Sequence, residues 1–453
     1  MKNDSYSRNW LRLAALCMVL AAVLGIFAGC SKNADSETSS ETNAPTTEAA
    51  PETTSAPSEE PGSAPETEDE TVPEPETDPS VDYEGLQTLP AYTLEELPAD
   101  DARLETVIAE CGDRSLTNRE LQMFYFMQLF GYYGQIRQMI AYGYPAEMFN
   151  LDLKKPLSEQ DCIEVGGLNW EQFFLMSGLN QFHQTCAVEA AAKAAGYTLS
   201  EEDLESLQKI KDGIAEQAES YGFESADAYI QASFGPCITQ KDYETYLDQY
   251  YYVACYEDEI YNGITWNDDD LLEYFRNNAD QYQGVTEQPN VSVRHILITP
   301  EDADGDKVST DEEKAAAKSK AEELLNQFLS DPTEQNFATL ANENSTDPGS
   351  KDKGGLYEDV YPGQMVQSFN DWCFDASRKP GDTGIVETSY GYHIMYFVGQ
   401  TENYYWKTLV EEDYPKHRME TWINEQMDQV PMTVDYASVV IGPMPEAAHQ
   451  DEE

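Results

Sequence analysis

Two histidines stand inside segments that otherwise read as apolar β-strands. His393 lies within TSYGYHIMYF, Thr388 to Phe397, and His295 lies within VSVRHILIT. A lone histidine in such a run is usually a core residue bonded to a backbone carbonyl. The chain holds only five histidines, however, and two of them fall on strand-like runs. Between them stands Asp347, in STDPGSKDKGG, which by itself reads as a turn. Met365 and Phe369 follow at i, i+4 spacing, which puts both on one helical face and by itself reads as core. Each of these features alone is structural, and only their combination suggests chemistry. No CxxC pair occurs, so zinc and thioredoxin-type chemistry are disfavoured.

The elements that must position these residues are legible around them. The β-branched run VSVRHILIT comes first. A helix follows, TDEEKAAAKSKAEELLNQFLS, with Thr310 and Glu313 as a capping box. Next come a short helix at TEQNFATLANENS, the Gly/Asp/Lys loop, and a helix near MVQSFNDWCFDA. Two strands close the unit, TGIVETS and YHIMYFVG, around a tight turn. This β-α-α-α-β-β order reads as one α+β domain with a small antiparallel sheet and surrounding helices. From about Arg103 to Tyr282 the pattern is helical instead. LTNRELQMFYFMQLFGYYGQIRQMI opens on a capping box from Thr117 to Glu120. Its apolar residues, among them Leu121, Phe124, Tyr125, Met127, Leu129 and Phe130, are too dense for one narrow stripe. Further helices are expected at NWEQFFLMSGLNQFHQTCAVEAAAKAAG, ended by Gly196, at SEEDLESLQKIKDGIAEQAESYG, at TQKDYETYLDQYYYVACYEDEIY, and at WNDDDLLEYFRNNADQY. After Gly399, YYWKTLVEEDYPKHRMETWINEQMDQV reads as a last helix. Helical segments on both sides of an α+β unit suggest an insertion, with the last helix packing back on the first domain.

The N-terminus carries a targeting signal. Lys2, Arg8 and Arg12 precede the apolar run LAALCMVLAAVLGIFA, which is of secretory type and short for a membrane span. It ends in FAGC, small residues directly before Cys30, which resembles the lipidation site of bacterial lipoproteins. Acyl chains on Cys30 would hold the mature chain on the outer face of a membrane. From Ser31 to about Pro90 the chain is Ser, Thr, Pro, Glu and Ala, a composition that cannot bury a core. Such a tether spans roughly 40–45 Å as a coil, which suits a thick Gram-positive cell wall. The net charge of −58, from 85 acidic and 27 basic residues, disfavours nucleic acid and anionic lipid as ligands. Six further cysteines, Cys111, Cys162, Cys186, Cys237, Cys255 and Cys373, have no pairing that the sequence assigns.

The α+β unit resembles the parvulin-type peptidyl-prolyl isomerases. The residues that carry the resemblance are VRHILI, STDPGSKDKGG, GQMVQSFNDWCF and YGYHI, in order and at family spacing over about a quarter of the chain. The whole arrangement resembles the PrsA-like extracytoplasmic foldase lipoproteins. The resemblance implies that His295 and His393 are the paired parvulin histidines. It implies that Asp347 sits beside them and that Thr388 hydrogen-bonds into the pair. Met365, Phe369 and Phe374 would cup the substrate proline ring, and Leu356 would add to that wall. Neither metal nor cofactor is implied. Leu356 lies in a stretch, LYEDVYP, that departs from the family pattern after the paired glycines. Tyr390 replaces a family phenylalanine, so its hydroxyl needs a partner if it is buried. The acidic loop TPEDADGDKVST disfavours a phosphoserine-proline preference.

The chain is thus expected to hold a lipoprotein signal peptide at 1–29, a disordered tether at 30–92, and a helical chaperone-like domain at 93–287. A parvulin domain is expected at 288–402, a C-terminal helix packing on the helical domain at 403–440, and a disordered acidic tail at 441–453. The function this implies is a membrane-anchored isomerase and foldase whose partners are unfolded exported proteins with X–Pro bonds. The alternative is a non-catalytic holdase whose parvulin unit only binds extended chains. Aromatic runs such as LQMFYFMQLFGYYG or YLDQYYYVACY would offer its client surface, unless they form a helical core. A solute-capturing lipoprotein shares the anchor and tether but has no use for His295, Asp347 and His393.

Overall fold

The computed structural model describes residues 76–90, 96–301 and 309–445. The expected signal peptide, Cys30 and most of the tether lie outside the described residues, as does the end of the tail. Among the described residues no helix is long and apolar enough to cross a membrane.

The fold is mixed α and β. A hairpin of β1 (Val107–Cys111) and β2 (Arg114–Thr117) leads into α1 (Asn118–Ala141), α2 (Trp170–Ala195), α3 (Glu201–Ser220), α4 (Ala226–Phe234), α5 (Gln240–Gly263) and α6 (Asp268–Asn277). Then come β3 (Val291–Ile298), α7 (Asp311–Leu329), α8 (Glu334–Asn344), β4 (Leu356–Val360), α9 (Gln367–Cys373), β5 (Thr383–Thr388) and β6 (Gly391–Gln400). The chain closes with α10 (Tyr405–Gln429) and β7 (Met432–Val434). Two compact units result: Met1–Ile260 with Thr421–Glu453, and Tyr261–Glu420.

In the first unit, α1 starts where its capping box dictates. Thr117 accepts from the Glu120 N–H, and the Glu120 carboxylate accepts from the Thr117 N–H at 3.0 Å. Such a cap contributes about 1 kcal/mol. Leu121, Met123, Phe124, Tyr125, Phe126, Leu129 and Phe130 are all buried. Phe124 meets Phe182 and Tyr246 edge-on, with ring centroids 5.8 and 5.5 Å apart. The two aromatic runs considered as client surfaces are therefore mostly core, since Tyr243, Tyr246, Leu247, Tyr251 and Tyr256 are buried too. Gly196 ends α2 in a left-handed conformation, as its position suggests.

This unit also holds a small sheet, ordered β2-β1-β7, where the sequence reads as helical. Its strands have three to five residues, too few for alternation to show, and β7 arrives from the far end of the chain. Two corrections concern the flanks of the fold. Folded chain begins before residue 92: Leu86 is buried in the core, and the Tyr83 hydroxyl donates to Gly166 O at 3.0 Å. Order also persists past 440, since Ile441 is buried and the Gly442 N–H donates to Gln122 Oε1 at 2.8 Å.

The second unit is built on an antiparallel sheet ordered β4-β3-β6-β5. On one face α7 and α8 cover Ile296, Ile298 and Ile394 with Ala321, Leu324, Phe328 and Phe337. On the other, α9 supplies Phe369 and Cys373 against Val293, Met395 and Phe397. Strand β4 is absent from the sequence-based order, because LYEDV does not alternate in polarity. A further cluster in this unit joins Leu271 and Phe275 of α6 to Trp406 and Val410 of α10.

Candidate active site

The two histidines occupy the central strands. Cross-strand register pairs His295 with Met395 and Leu297 with His393, so the imidazoles are offset diagonally on one face. Both are buried, at 3% and 5% exposure. Their rings lie 5.2 Å apart and nearly parallel, and their Nδ1 atoms are 3.0 Å apart. Phe369 meets both edge-on, each at 5.4 Å. The backbone around His295 is held closely: its N–H donates to Gly355 O at 2.8 Å. Gly355 has φ +73°, and a Cβ there would stand 2.2 Å from His295 O, so only glycine fits.

A continuous hydrogen-bond chain joins the polar side chains. The Asp347 carboxylate can only accept, so His295 Nε2–H donates to Oδ2 at 3.1 Å. The two Nδ1 atoms face each other, so one ring donates and the other accepts. On its other side, His393 Nε2 lies 2.8 Å from Thr388 Oγ1. The Thr388 oxygen also accepts the Tyr390 N–H at 3.1 Å. The chain runs from Thr388 through His393 and His295 to Asp347.

Asp347 Oδ2 collects three more donors. These are the Ser350 N–H at 2.9 Å, the Ser350 hydroxyl, and the Tyr357 hydroxyl at 3.1 Å. The hydrogen bond from His295, then that from Ser350, hold this carboxyl well below its usual range despite partial burial. Burial, and then the neighbouring His295 ring, lower the His393 pKa to about 4, so this ring is neutral at pH 7. Burial and the neighbouring Asp347 charge push the Tyr357 phenol up to about 12, keeping it a donor. A carboxylate with four donors on one oxygen is a weak base and a weak nucleophile. The arrangement suits electrostatics and orientation rather than covalent attack.

An apolar wall adjoins this chain. Met365 and Phe374 pack, partly exposed, against the cluster that contains Phe369. Val366, at the start of α9, is exposed. Among the described residues no three His, Cys, Asp or Glu side chains gather to hold a metal ion.

The family model described as a PPIC-type PPIASE domain matches residues 280–401. The chain is similar to foldase protein PrsA 1 of Listeria innocua, with 33% identity over 117 residues, 26% of this chain and 33% of that protein. It is similar to foldase protein PrsA of Clostridium botulinum at 29% identity over 167 residues, 35% of this chain and 41% of that protein. The chain spans about a third of the length of the first of these curated relatives. Among solved structures, PrsA from Bacillus cereus aligns at 20% identity with a TM-score of 0.22, over 58% of this chain and 87% of that one.

Within the matched residues the structure brings together His295, Asp347, His393 and Thr388, with Phe369 against both rings. Leu356 stands apart. Its register partner is Arg294, whose guanidinium bonds Glu334 and Gly354 O, so alternation turns Leu356 to the other face of the sheet. Tyr357, one residue on, takes the place beside Asp347. Tyr390 is exposed, and its hydroxyl requires no buried partner. Sequence reasoning missed Ser350 and Tyr357. Ser350 was signalled by its position three residues after Asp347, where an Asp side chain accepts from the backbone of a turn. No local signal marked Tyr357, because its role depends on the pairing of β4 with β3.

Proposed function

We propose that this chain is a peptidyl-prolyl cis-trans isomerase that assists the folding of exported proteins, with the PPIC-type domain acting on X–Pro bonds of unfolded or partly folded clients. Lipid on Cys30 anchors it to the outer face of the cell membrane, and the residues from 30 to about 75 serve as its tether. The observation that supports this reading most directly is the unbroken chain from Thr388 to Asp347 beside an apolar wall. The PrsA names of the similar proteins agree with it.

The chemistry needs no bond to break. An X–Pro amide rotates over a barrier of about 18–20 kcal/mol, and the twisted amide has lost its resonance. Met365, Phe369 and Phe374 hold the proline ring and exclude water. The histidine pair and Asp347 place fixed dipoles and charge beside the rotating carbonyl at low dielectric. A thousandfold acceleration requires about 4 kcal/mol, within reach of ring burial and a few oriented hydrogen bonds. His295, His393, Asp347 and Thr388 form the polar floor, Ser350 and Tyr357 steady Asp347, and Leu356 plays no direct part.

Cis/trans exchange of short X–Pro peptides, measured by NMR with the full chain, tests this reading. Acceleration that collapses in Asp347→Ala is expected. A folded chain with no acceleration would leave the holdase alternative. That alternative has one observation in its favour: Met139, Ile140, Tyr142, Tyr144 and Met148 are large, apolar and exposed at the end of α1 and just beyond it.

A further inference from the structure

The end of strand β1 meets one face of α2 through a set of side chains unrelated to the isomerase site. Cys111 and Cys186 are both free thiols, buried at 1% and 3% exposure, and each lies near enough to the other to influence its ionisation. Three neighbouring contacts fix this seam. The Cys111 thiol donates to Val430 O at 3.5 Å. His183, one helical turn before Cys186, donates to the same carbonyl through Nε2 at 2.7 Å. Glu189, about one turn after Cys186, pairs with Arg114 of β2 at 3.0 Å. Cys186 is thus centred on the helix face that receives the hairpin, and Cys111 is the hairpin residue that reaches it. The other cysteines with described surroundings have different neighbours: Glu164 for Cys162, Arg119 for Cys237 and Arg378 for Cys373.

We propose that Cys111 and Cys186 are a disulfide site, cross-linked as the chain folds in the presence of a small-molecule or protein disulfide. The exchange balances. One cysteine thiolate attacks the oxidant's S–S bond and releases one thiol. The second cysteine thiolate then attacks the mixed disulfide and releases the other. One S–S bond is lost and one gained, and the two cysteine protons end on the two released thiols. Oxidation removes the Cys111 donor from Val430 O, but His183 still donates to that carbonyl, so no buried acceptor is stranded. The cross-link closes a loop that contains all of α1 and ties the hairpin to α2, which constrains the unfolded chain. Burial raises both thiol pKa values, so exchange is fastest before the seam has closed. The proposal stands independently of the isomerase reading.

The test uses the unsubstituted full chain. It is unfolded under reducing conditions, refolded in a reduced/oxidised glutathione couple, alkylated with iodoacetamide, and digested without reduction for mass spectrometry. The expected result is a linked peptide pair containing Cys111 and Cys186, lighter by two hydrogens than the two free peptides together. Alkylation of both residues, or linkage of either one to a different cysteine, overturns the proposal. In a second measurement, a phosphine reductant is expected to lower the melting temperature of the oxidised chain by roughly 5–15 °C. The C111S/C186S double variant should show no such reductant-dependent drop. An equal drop in that variant assigns the stabilisation to another pair and overturns the proposal.

Discussion

In the first unit Asn118 and Gln122 are buried amides whose partners are backbone. In the second, His295 and His393 are buried rings whose partners are largely other side chains. Asn118 Nδ2 donates to Arg103 O and Ser438 O at 3.1 and 2.9 Å, and its Oδ1 accepts the Val440 N–H at 2.8 Å. Gln122 repeats the pattern one turn on, donating to Val440 O and accepting from Gly442 N, both at 2.8 Å. Together they hold the chain's 438–442 segment in register against α1, much as a neighbouring strand would. Neither amide titrates, and their partners cannot rotate away. The histidines are bound to an acid, hydroxyls and each other, so their protons and dipoles can respond to a substrate. Both arrangements obey the rule that buried polar groups must be paired. Whether the partner is main chain or side chain separates a structural clasp from a site suited to chemistry.

The largest effect expected on this contrast comes from Gly355→Ala. The new Cβ would meet His295 O at 2.2 Å in a left-handed conformation, and backbone must move to relieve it. A loss of about 4 kcal/mol from the second unit is expected. Hydrogen exchange of Val291–Ile298 reads it, and unchanged protection would show that the floor is not held by this approach.

Next comes the pH response. The His393 pKa is lowered to about 4 in the folded chain, against about 6.5 when unfolded. Between these values the unfolded chain binds a proton that the folded chain refuses, so stability rises with pH across the window. It is fully present above about pH 6.5 and lost as pH falls towards 4, by about 3 kcal/mol in total. The lowered Asp347 pKa adds a loss of the same sign at still lower pH. The backbone-paired amides give the first unit no such term. Exchange protection of β3 and α1, followed from pH 7.5 to 4.5, should therefore diverge; a parallel decline would break the contrast.

For activity, Asp347→Ala is expected to reduce isomerisation about a hundredfold, or roughly 2.7 kcal/mol, by leaving four donors without their acceptor. Asn118→Ala is expected to destabilise the first unit by about 2 kcal/mol through lost hydrogen bonds, with peptide isomerisation unchanged. If Asn118→Ala slowed isomerisation as much as Asp347→Ala does, the division of labour would be wrong. The smallest effect belongs to Tyr357→Phe, which removes one of the four donors and keeps the ring. A few-fold slower rate is expected, roughly 1 kcal/mol, measured in the same exchange assay.

The residues show why some of this was legible in advance. Thr117 with Glu120 and Thr310 with Glu313 announce helix starts because a cap is a local bond between residues three apart. His295 and His393 stand out because an imidazole breaks an apolar alternation that is itself local. Leu356 was misplaced and Tyr357 missed for one reason: a one-residue difference in a strand decides which face a side chain takes. That register is set by β3, not by the LYEDV run. Asn118 and Gln122 gave no warning, since amides near a helix start are ordinary and their partners in the 438–442 segment are more than 300 residues away.

The sequence by itself determined the helices with their capping boxes, the apolar positions of the two central strands, and the presence of two histidines and an acid in one short α+β unit. These follow from propensity, capping and periodicity, which act over a few residues. Only the tertiary structure decided which ring nitrogens meet, which four donors hold Asp347, and that Cys111 lies against Cys186. It also decided that β7 completes a sheet begun at β1. Each of these depends on pairing between distant segments, where a shift of one residue reverses a face, and no local pattern encodes that choice.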